Sequence, residues 1–148
     1  MRIIDATRRS AVAVAPDRPI AEVAQLMEDA TVGAVVVVDG DDLVGIVTDR
    51  DLVRRALAHR LDPDARVDAV MSTPVVTIDA GADLRDAYRL FDAHAVRRLA
   101  ITQDGRFVGV IAIDDLLMDV TADLVAITRP VTAEVLFGHH DVPVPART

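Results

Sequence analysis

The stretches Gly45–Leu52 (GIVTDRDL) and Gly109–Leu116 (GVIAIDDL) decide the fold of this chain. In both, an apolar, β-branched run follows a glycine, and an aspartate stands six residues after that glycine. A run of this kind that leads into acidic residues is typical of a junction between a β-strand and a helix. The same junction therefore occurs twice.

The two stretches lie 64 residues apart, and the same offset aligns the residues before them without a gap. Apolar positions of one half match apolar positions of the other: Val14 with Ile78, Ile20 with Leu84, and Met27 with Phe91. Self-similarity at a fixed offset indicates an internal duplication. The chain of 148 residues is interpreted as two copies of one unit.

Each copy shows the same order of hydrophobic periodicities. In the first copy, these predict a strand over 11–14, a helix from Ile20, a hairpin of strands over 34–38 and 43–48, and a helix over 49–58. In the second copy, they predict a helix from Leu84, strands over 99–102 and 107–113, and a helix from Asp114 to about Leu124. The order in each copy is β-α-β-β-α.

This order predicts an α+β fold. A core of about 70 residues or fewer is marginal by itself, so the two copies should pack on each other. The predicted boundaries are a first repeat over 4–60, a connection over 61–70, a second repeat over 71–126, and a partly flexible C-terminal extension over 127–148.

The strand-to-helix junction of the first copy has side chains that suit a nucleotide. Gly45 allows a close backbone approach, and the Thr48 hydroxyl stands beside the helix start, where free N–H groups favour an anion. Asp51, one turn later, can accept hydrogen bonds from the hydroxyls of a ribose. Thr and Asp are also ordinary helix-capping residues, and on this spacing alone capping is the simpler interpretation.

The order of elements and the motifs together resemble a tandem pair of CBS domains, the cystathionine-β-synthase-type repeats that form a Bateman module. The resemblance covers about 4–120 and includes the VMSTPV sequence at 70–75, the GIVTDRDL motif and the Asp-Gly turns. It implies two repeats packed about a pseudo-two-fold axis. It also implies a regulatory module that binds AMP, ADP, ATP or S-adenosylmethionine in a cleft between the repeats.

The resemblance implies a role for individual residues of the first copy. Asp51 would hold the ribose, and Thr48 with Arg50 would contact phosphate. The base would be enclosed by backbone around three residues of the first strand and by apolar side chains near the second: Ala11, Val12, Ala13 and Val35.

Two arginines of the second copy, Arg97 and Arg98, stand just before its middle strand. One guanidinium group can bind two phosphate oxygens at once, through two parallel hydrogen bonds. These residues are therefore candidates for a phosphate clamp. A solvated pair at a strand edge is an equally good interpretation.

The second copy departs from the motif. Ala112 replaces the threonine and Asp114 replaces the arginine, so a hydroxyl and a positive charge are lost. Asp115 remains, and capping of the next helix is its simpler role. We expect a degenerate second site that binds phosphate poorly.

Composition excludes several other functions. The formal net charge of -8 disfavours binding to nucleic acid, and the absence of cysteine removes disulfides and thiolate sites. His139 and His140 are adjacent and lack the spacing of a metal site, so no metal is expected. We find no catalytic motif and therefore expect no enzyme. No apolar run is long enough to span a membrane, and no secretory signal is visible, so we expect a cytoplasmic protein.

The sequence thus predicts a homodimeric module that responds to adenine nucleotide and acts on another protein, in energy sensing or a stress response. No obligatory cofactor is expected. The alternative is a ligand-free scaffold for dimerisation or protein docking.

Overall fold

The computed structural model describes residues 2–6 and 11–136. The first repeat follows a short helix α1 (Ile3–Ala6). Its elements are β1 (Ala13–Val14), α2 (Ile20–Ala30), β2 (Ala34–Asp39), β3 (Asp42–Thr48) and α3 (Asp49–Asp51), which continues as a π-helix over Leu52–Leu57. A 3₁₀ turn, Val67–Ala69, lies in the connection.

The second repeat has the same order of elements. It consists of β4 (Thr77–Asp79), α4 (Leu84–His94), β5 (Arg98–Gln103), β6 (Arg106–Ala112) and α5 (Ile113–Leu136). The predicted α+β fold and the β-α-β-β-α order are confirmed.

Each repeat has a three-stranded sheet whose middle strand follows the first helix of that repeat. In the first sheet β1 runs parallel to β2, and β2 runs antiparallel to β3. The second sheet has the order β4, β5, β6 with the same directions. Both hairpins turn through a glycine with positive φ, at Gly40 and Gly105, where a side chain would be strained.

The core of the first repeat is built from valines. Val35, Val37 and Val47 are fully buried between the sheet and the helices, together with Val23 of α2. β-Branched side chains fit the pleated surface of a sheet and have few rotamers to lose on burial. In the second repeat, the buried positions include Leu99, Ile101 and Ile111 of the sheet and Phe91 of α4: this places them where the duplication predicts.

The connection between the repeats is hydrogen-bonded along the first repeat. Ile20 N donates to Ala65 O at 2.9 Å, and Val67 N donates to Arg18 O at 2.9 Å. Ser72 and Ile46 exchange backbone bonds of 2.8 and 3.1 Å, so the chain that leaves the connection pairs with β3. These bonds fix where the second repeat begins.

The N-terminal helix α1 is attached to the second repeat. Ile3 N donates to Ala82 O at 2.9 Å, and Ile4 N donates to Ala80 O at 3.2 Å. The side chain of Ile3 is fully buried. Helix α1 therefore precedes the first repeat in the sequence but packs on the second repeat.

Helix α5 continues past its predicted end near Leu124 and includes Pro130. A proline inside a helix removes one backbone hydrogen bond and crowds the carbonyl four residues before it, which is why Pro130 indicates a helix end on local grounds. The described part of the chain divides into two compact units, one ending at Ile113 and one beginning at Asp114. His139 and His140 lie outside the described residues.

Candidate functional site

The candidate site lies at one edge of the first sheet. Thr48 at the end of β3 pairs with Ala34 at the start of β2. The backbone that leads into β1 lies beside β2, because Val36 N of β2 donates to Val12 O at 3.0 Å. Ala11 and Val12 are half-buried, and Ala13 is exposed. The strand-to-helix junction and the backbone predicted to enclose a base therefore flank the same strand, β2, from opposite sides.

Thr48 and Asp51 form a capping box at the start of α3. Asp51 N donates to Thr48 Oγ1 at 3.1 Å, and Thr48 N donates to Asp51 Oδ2 at 2.9 Å. The capping interpretation of the sequence therefore describes this geometry. The box leaves two groups for a ligand, since the Thr48 hydroxyl can still donate and the Asp51 carboxylate has further lone pairs.

The backbone amides at this helix start are all engaged within the protein, unlike the free N–H groups expected from the sequence. Asp49 N donates to Gly33 O at 3.1 Å, and Arg50 N donates to Asp49 Oδ1 at 2.8 Å. The capping box takes up the amides of Thr48 and Asp51. An anion at this edge would have to be held by side chains.

Arg98 of the second repeat reaches this edge of the first. Its Nη2 lies 3.3 Å from the point where a Cβ on Gly33 would stand, and Asp49 Oδ2 lies 3.5 Å from the same point. The structure thus brings one of the two candidate phosphate-clamp arginines to the Thr48–Asp51 junction. Arg50 is also exposed here, and it adds a second guanidinium to the edge.

Arg97 is exposed, and its backbone repeats a bond of the first junction. Ile113 N donates to Arg97 O at 3.0 Å, as Asp49 N donates to Gly33 O. Ala112 ends β6 opposite Arg98, and Asp114 and Asp115 lie in the first turn of α5. The hydroxyl of the first junction has no counterpart at this position.

Two of the residues predicted to contact a ligand have packing roles in the structure. The Val35 side chain is fully buried in the core of the first repeat, so a ligand at the edge does not reach it. A Cβ on Gly45 would overlap Met71 Sδ and would lie 2.8 Å from Met71 Cγ. The close approach that requires Gly45 is therefore made by Met71, which belongs to the chain leaving the connection.

Arg55 adds a contact that sequence reasoning missed. Its Nη1 donates to Val70 O and Met71 O, each at 3.1 Å, and to Ser72 Oγ at 3.2 Å. Its Nε lies 3.8 Å from Asp51 Oδ1. The i,i+4 spacing of Asp51 and Arg55 is visible in the sequence, but the acceptors more than a dozen residues later are not.

A second charged pair fastens the connection. Arg66 Nη2 lies 2.7 Å from Asp68 Oδ2, and this hydrogen bond lowers the pKa of Asp68. The same bond raises the pKa of Arg66. The backbone N–H of Asp68 donates to Pro16 O at 3.1 Å, so the pair stands where the connection meets the first repeat.

Within residues 2–6 and 11–136, His, Cys, Asp and Glu side chains do not gather in threes as a metal site requires. Over the same residues, no helix combines the length and apolar character needed to cross a membrane.

Comparison with known proteins agrees with the family resemblance of the sequence. A family model described as the CBS domain matches residues 3–58 and 67–121. The CBS domain-containing protein YhcV of Bacillus subtilis (strain 168) is 39% identical over 106 residues, which are 72% of this chain and 76% of that relative.

Two solved structures are similar over most of the chain. The CBS domain protein PAE2072 from Pyrobaculum aerophilum, complexed with AMP, aligns with a TM-score of 0.71 and 28% identity, over 78% of this chain and 90% of that chain. Hypoxic Response Protein I with two coordinated zinc ions aligns with a TM-score of 0.70 and 28% identity, over 80% and 98% of the two chains.

Proposed function

The chain belongs to the CBS-domain family, and we propose that it is a regulatory module that binds an adenine nucleotide at the Thr48–Asp51 edge. The observation that carries this proposal is the position of Arg98. A guanidinium from the second repeat lies next to Gly33 and Asp49 of the first, in the same junction as the Thr48 hydroxyl and the Asp51 carboxylate. A ligand held by the guanidinium, the hydroxyl and the Asp51 carboxylate would join the two repeats.

The side chains at the edge match the parts of a nucleotide. Asp51 accepts hydrogen bonds from ribose hydroxyls, and the Thr48 hydroxyl donates to a phosphate oxygen. Arg98 and Arg50 supply positive charge, and a planar guanidinium pairs well with phosphate. The backbone of 11–13 borders the space for the base. The AMP complex of PAE2072 supports this choice of ligand class.

We propose one strong nucleotide site in each chain. The second junction has Ala112 in place of Thr48 and Asp114 in place of Arg50. A methyl group and a negative charge at these positions disfavour phosphate. Asp115 then serves chiefly as a residue of the first turn of α5.

Regulation follows from linkage between ligand and repeat orientation. A nucleotide that contacts both Asp51 and Arg98 stabilises the orientation of the repeats in which both side chains can reach it. A partner protein that prefers this orientation then binds with changed affinity, by the same free energy of coupling. In this proposal, a change in the AMP-to-ATP ratio, as in low energy supply or stress, would be the signal.

The test is calorimetric titration of the full chain with AMP, ADP, ATP and 2′-deoxy-AMP, with S-adenosylmethionine as a further probe. We expect saturation near one AMP per chain. Loss of the hydrogen bond to the 2′-hydroxyl should cost about 1–3 kcal/mol, or about ten- to a hundredfold in affinity for 2′-deoxy-AMP.

Asp51→Asn is the site variant, and Asp86→Asn is its matched control. Asp86 occupies the same position in the capping box of α4, so both substitutions disturb a capping box but only one disturbs the candidate site. AMP binding should be lost in Asp51→Asn and kept in Asp86→Asn. Absence of binding by every probe would reject the sensor and favour the ligand-free scaffold.

We also propose that the module is a homodimer. An apolar groove between α2 and the π-helical turn exposes Val53, Leu57 and Leu61, with Leu57 74% exposed. Contiguous exposed apolar surface of this kind is typical of interaction sites. Covering this groove with the same groove of a second copy buries it in an isologous interface.

A further inference from the structure

The guanidinium of Arg55 has three acceptors, although its side chain is 48% exposed. The two N–H groups of its Nη1 are shared among three acceptors, the backbone carbonyls of Val70 and Met71 and the hydroxyl of Ser72. These three acceptors belong to consecutive residues. The arrangement anchors the arginine to a single segment, 70–72.

The other side of the same guanidinium faces Asp51. Arg55 Nε lies 3.8 Å from Asp51 Oδ1, the carboxylate oxygen that the capping box does not use. The Asp51 side chain is 17% exposed, so its charge is partly shielded from water. An isolated exposed ion pair contributes little, since two long side chains must be ordered to form it. Here the three acceptors already hold the arginine in place.

Segment 70–72 is itself fastened to the first sheet. Ser72 exchanges backbone bonds with Ile46 of β3, and Met71 fills the space above Gly45. The segment leads directly to β4 of the second repeat. Arg55 therefore stands between the candidate ribose-binding carboxylate and the chain that enters the second repeat.

We propose that Arg55 is a positioning residue that fixes Asp51 Oδ1 for its ligand and couples occupancy of the site to segment 70–72. This inference rests on the proposed nucleotide function. A hydroxyl that donates to Asp51 Oδ1 shares that oxygen with Arg55, and the ordered guanidinium transmits the constraint to the carbonyls of 70 and 71. By reciprocity, a change that loosens segment 70–72 lowers the affinity for the ligand.

The test compares Arg55→Met and Arg55→Lys with Arg54→Met in the full chain. Arg54 is the adjacent exposed arginine of the same helical turn and is the matched control. Two quantities are measured for each variant. The first is the affinity for AMP relative to 2′-deoxy-AMP by calorimetry. The second is the hydrogen-exchange rate of the Ser72 amide with and without AMP.

We expect Arg55→Met to weaken AMP binding about tenfold and to bring the AMP and 2′-deoxy-AMP affinities closer together. The Ser72 amide should exchange about tenfold faster in Arg55→Met, and AMP should no longer slow it. Arg55→Lys keeps the charge without the fork, so it should fall between the wild type and Arg55→Met. It also serves as the informative variant if Arg55→Met does not fold. Arg54→Met should match the wild type.

Three results would overturn the inference, and they separate it from the proposed function. An equal loss of affinity for AMP and for 2′-deoxy-AMP would show that Arg55 acts on folding alone. Unchanged AMP affinity in Arg55→Met would reject its positioning role while the nucleotide function stands. If the wild type binds no nucleotide, the proposed function fails and the ligand role of Arg55 fails with it. Faster Ser72 exchange in Arg55→Met would then show that the anchor itself is present.

Discussion

Arg98 and Asp49, from different repeats, meet at the space left by the missing side chain of Gly33. Arg98 Nη2 and Asp49 Oδ2 lie 3.3 and 3.5 Å from the position of a Cβ on that glycine. The φ of Gly33 lies outside the left-handed region, so its backbone conformation does not require glycine, and a Cβ there would lie in close contact with the end of the Arg98 side chain. Opposite charges from the two repeats thus both lie next to Gly33 at the candidate site.

Arg98→Met should weaken AMP binding about tenfold or more, because a charge-assisted hydrogen bond to phosphate is lost. Adenosine, which has no phosphate, should bind the variant and the wild type alike. Calorimetric titration with both ligands measures the difference. Arg106→Met makes the same change at an exposed hairpin position and should bind AMP normally. An equal loss of adenosine and AMP binding in Arg98→Met would contradict the phosphate role.

The fold could be predicted because its signals are local. The β-branched runs, the Asp-Gly turns and the apolar helical stripes each lie within a dozen residues, and the duplication shows every element twice. The end of α5 could not be placed in the same way. Pro130 indicates a helix boundary on local grounds, yet the helix continues to Leu136.

The candidate site could be predicted only in part, for the same reason. Thr48 and Asp51 belong to one short motif, and the sequence offered both capping and binding as their roles. The contacts of Arg55 with segment 70–72 and of Met71 with Gly45 depend on pairing between distant residues. Gly45 was therefore assigned to a ligand although Met71 occupies its space. No spacing rule indicates that Arg98 reaches Gly33.

Leu57→Glu should convert the proposed dimer to a monomer, because it places a charge in the exposed apolar groove of the first repeat. Sedimentation velocity over a range of concentrations measures the change. Leu124→Glu is the control, since Leu124 is 60% exposed but lies on α5. Dissociation by Leu124→Glu alone would move the interface to that helix. A wild type that is monomeric at every concentration would show that the dimer prediction is wrong.

Asp68→Asn should destabilise the protein slightly at neutral pH by removing the charge that pairs with Arg66. The hydrogen bond from Arg66 holds the pKa of Asp68 below its usual value of 3.8. A pKa that is depressed on folding stabilises the folded state at pH values above the usual pKa. This contribution is lost as the pH falls through the folded-state pKa. The stability difference between variant and wild type should therefore narrow below pH 3.8.

Urea unfolding at a series of pH values measures that difference. Asp64→Asn, in the same connection, is the control: the Asp64 carboxylate is exposed, and its backbone N–H bonds to Asp62. We expect Asp64→Asn to follow the wild type at every pH. A gap between Asp68→Asn and wild type that persists unchanged into acid would show that the Arg66 pair is not its source.

Gly45→Ala should destabilise the chain by about 1–3 kcal/mol, because a methyl group there overlaps Met71. The strain should disappear when Met71 is also shortened, so Gly45→Ala should cost much less in a Met71→Ala background. Urea unfolding of the wild type, both single variants and the double variant gives the coupling between the two positions. If Gly45→Ala costs the same in both backgrounds, Met71 is not what requires the glycine. A large coupling would instead show that the chain leaving the connection packs on β3 through Met71, the residue whose backbone carbonyl accepts a hydrogen bond from Arg55.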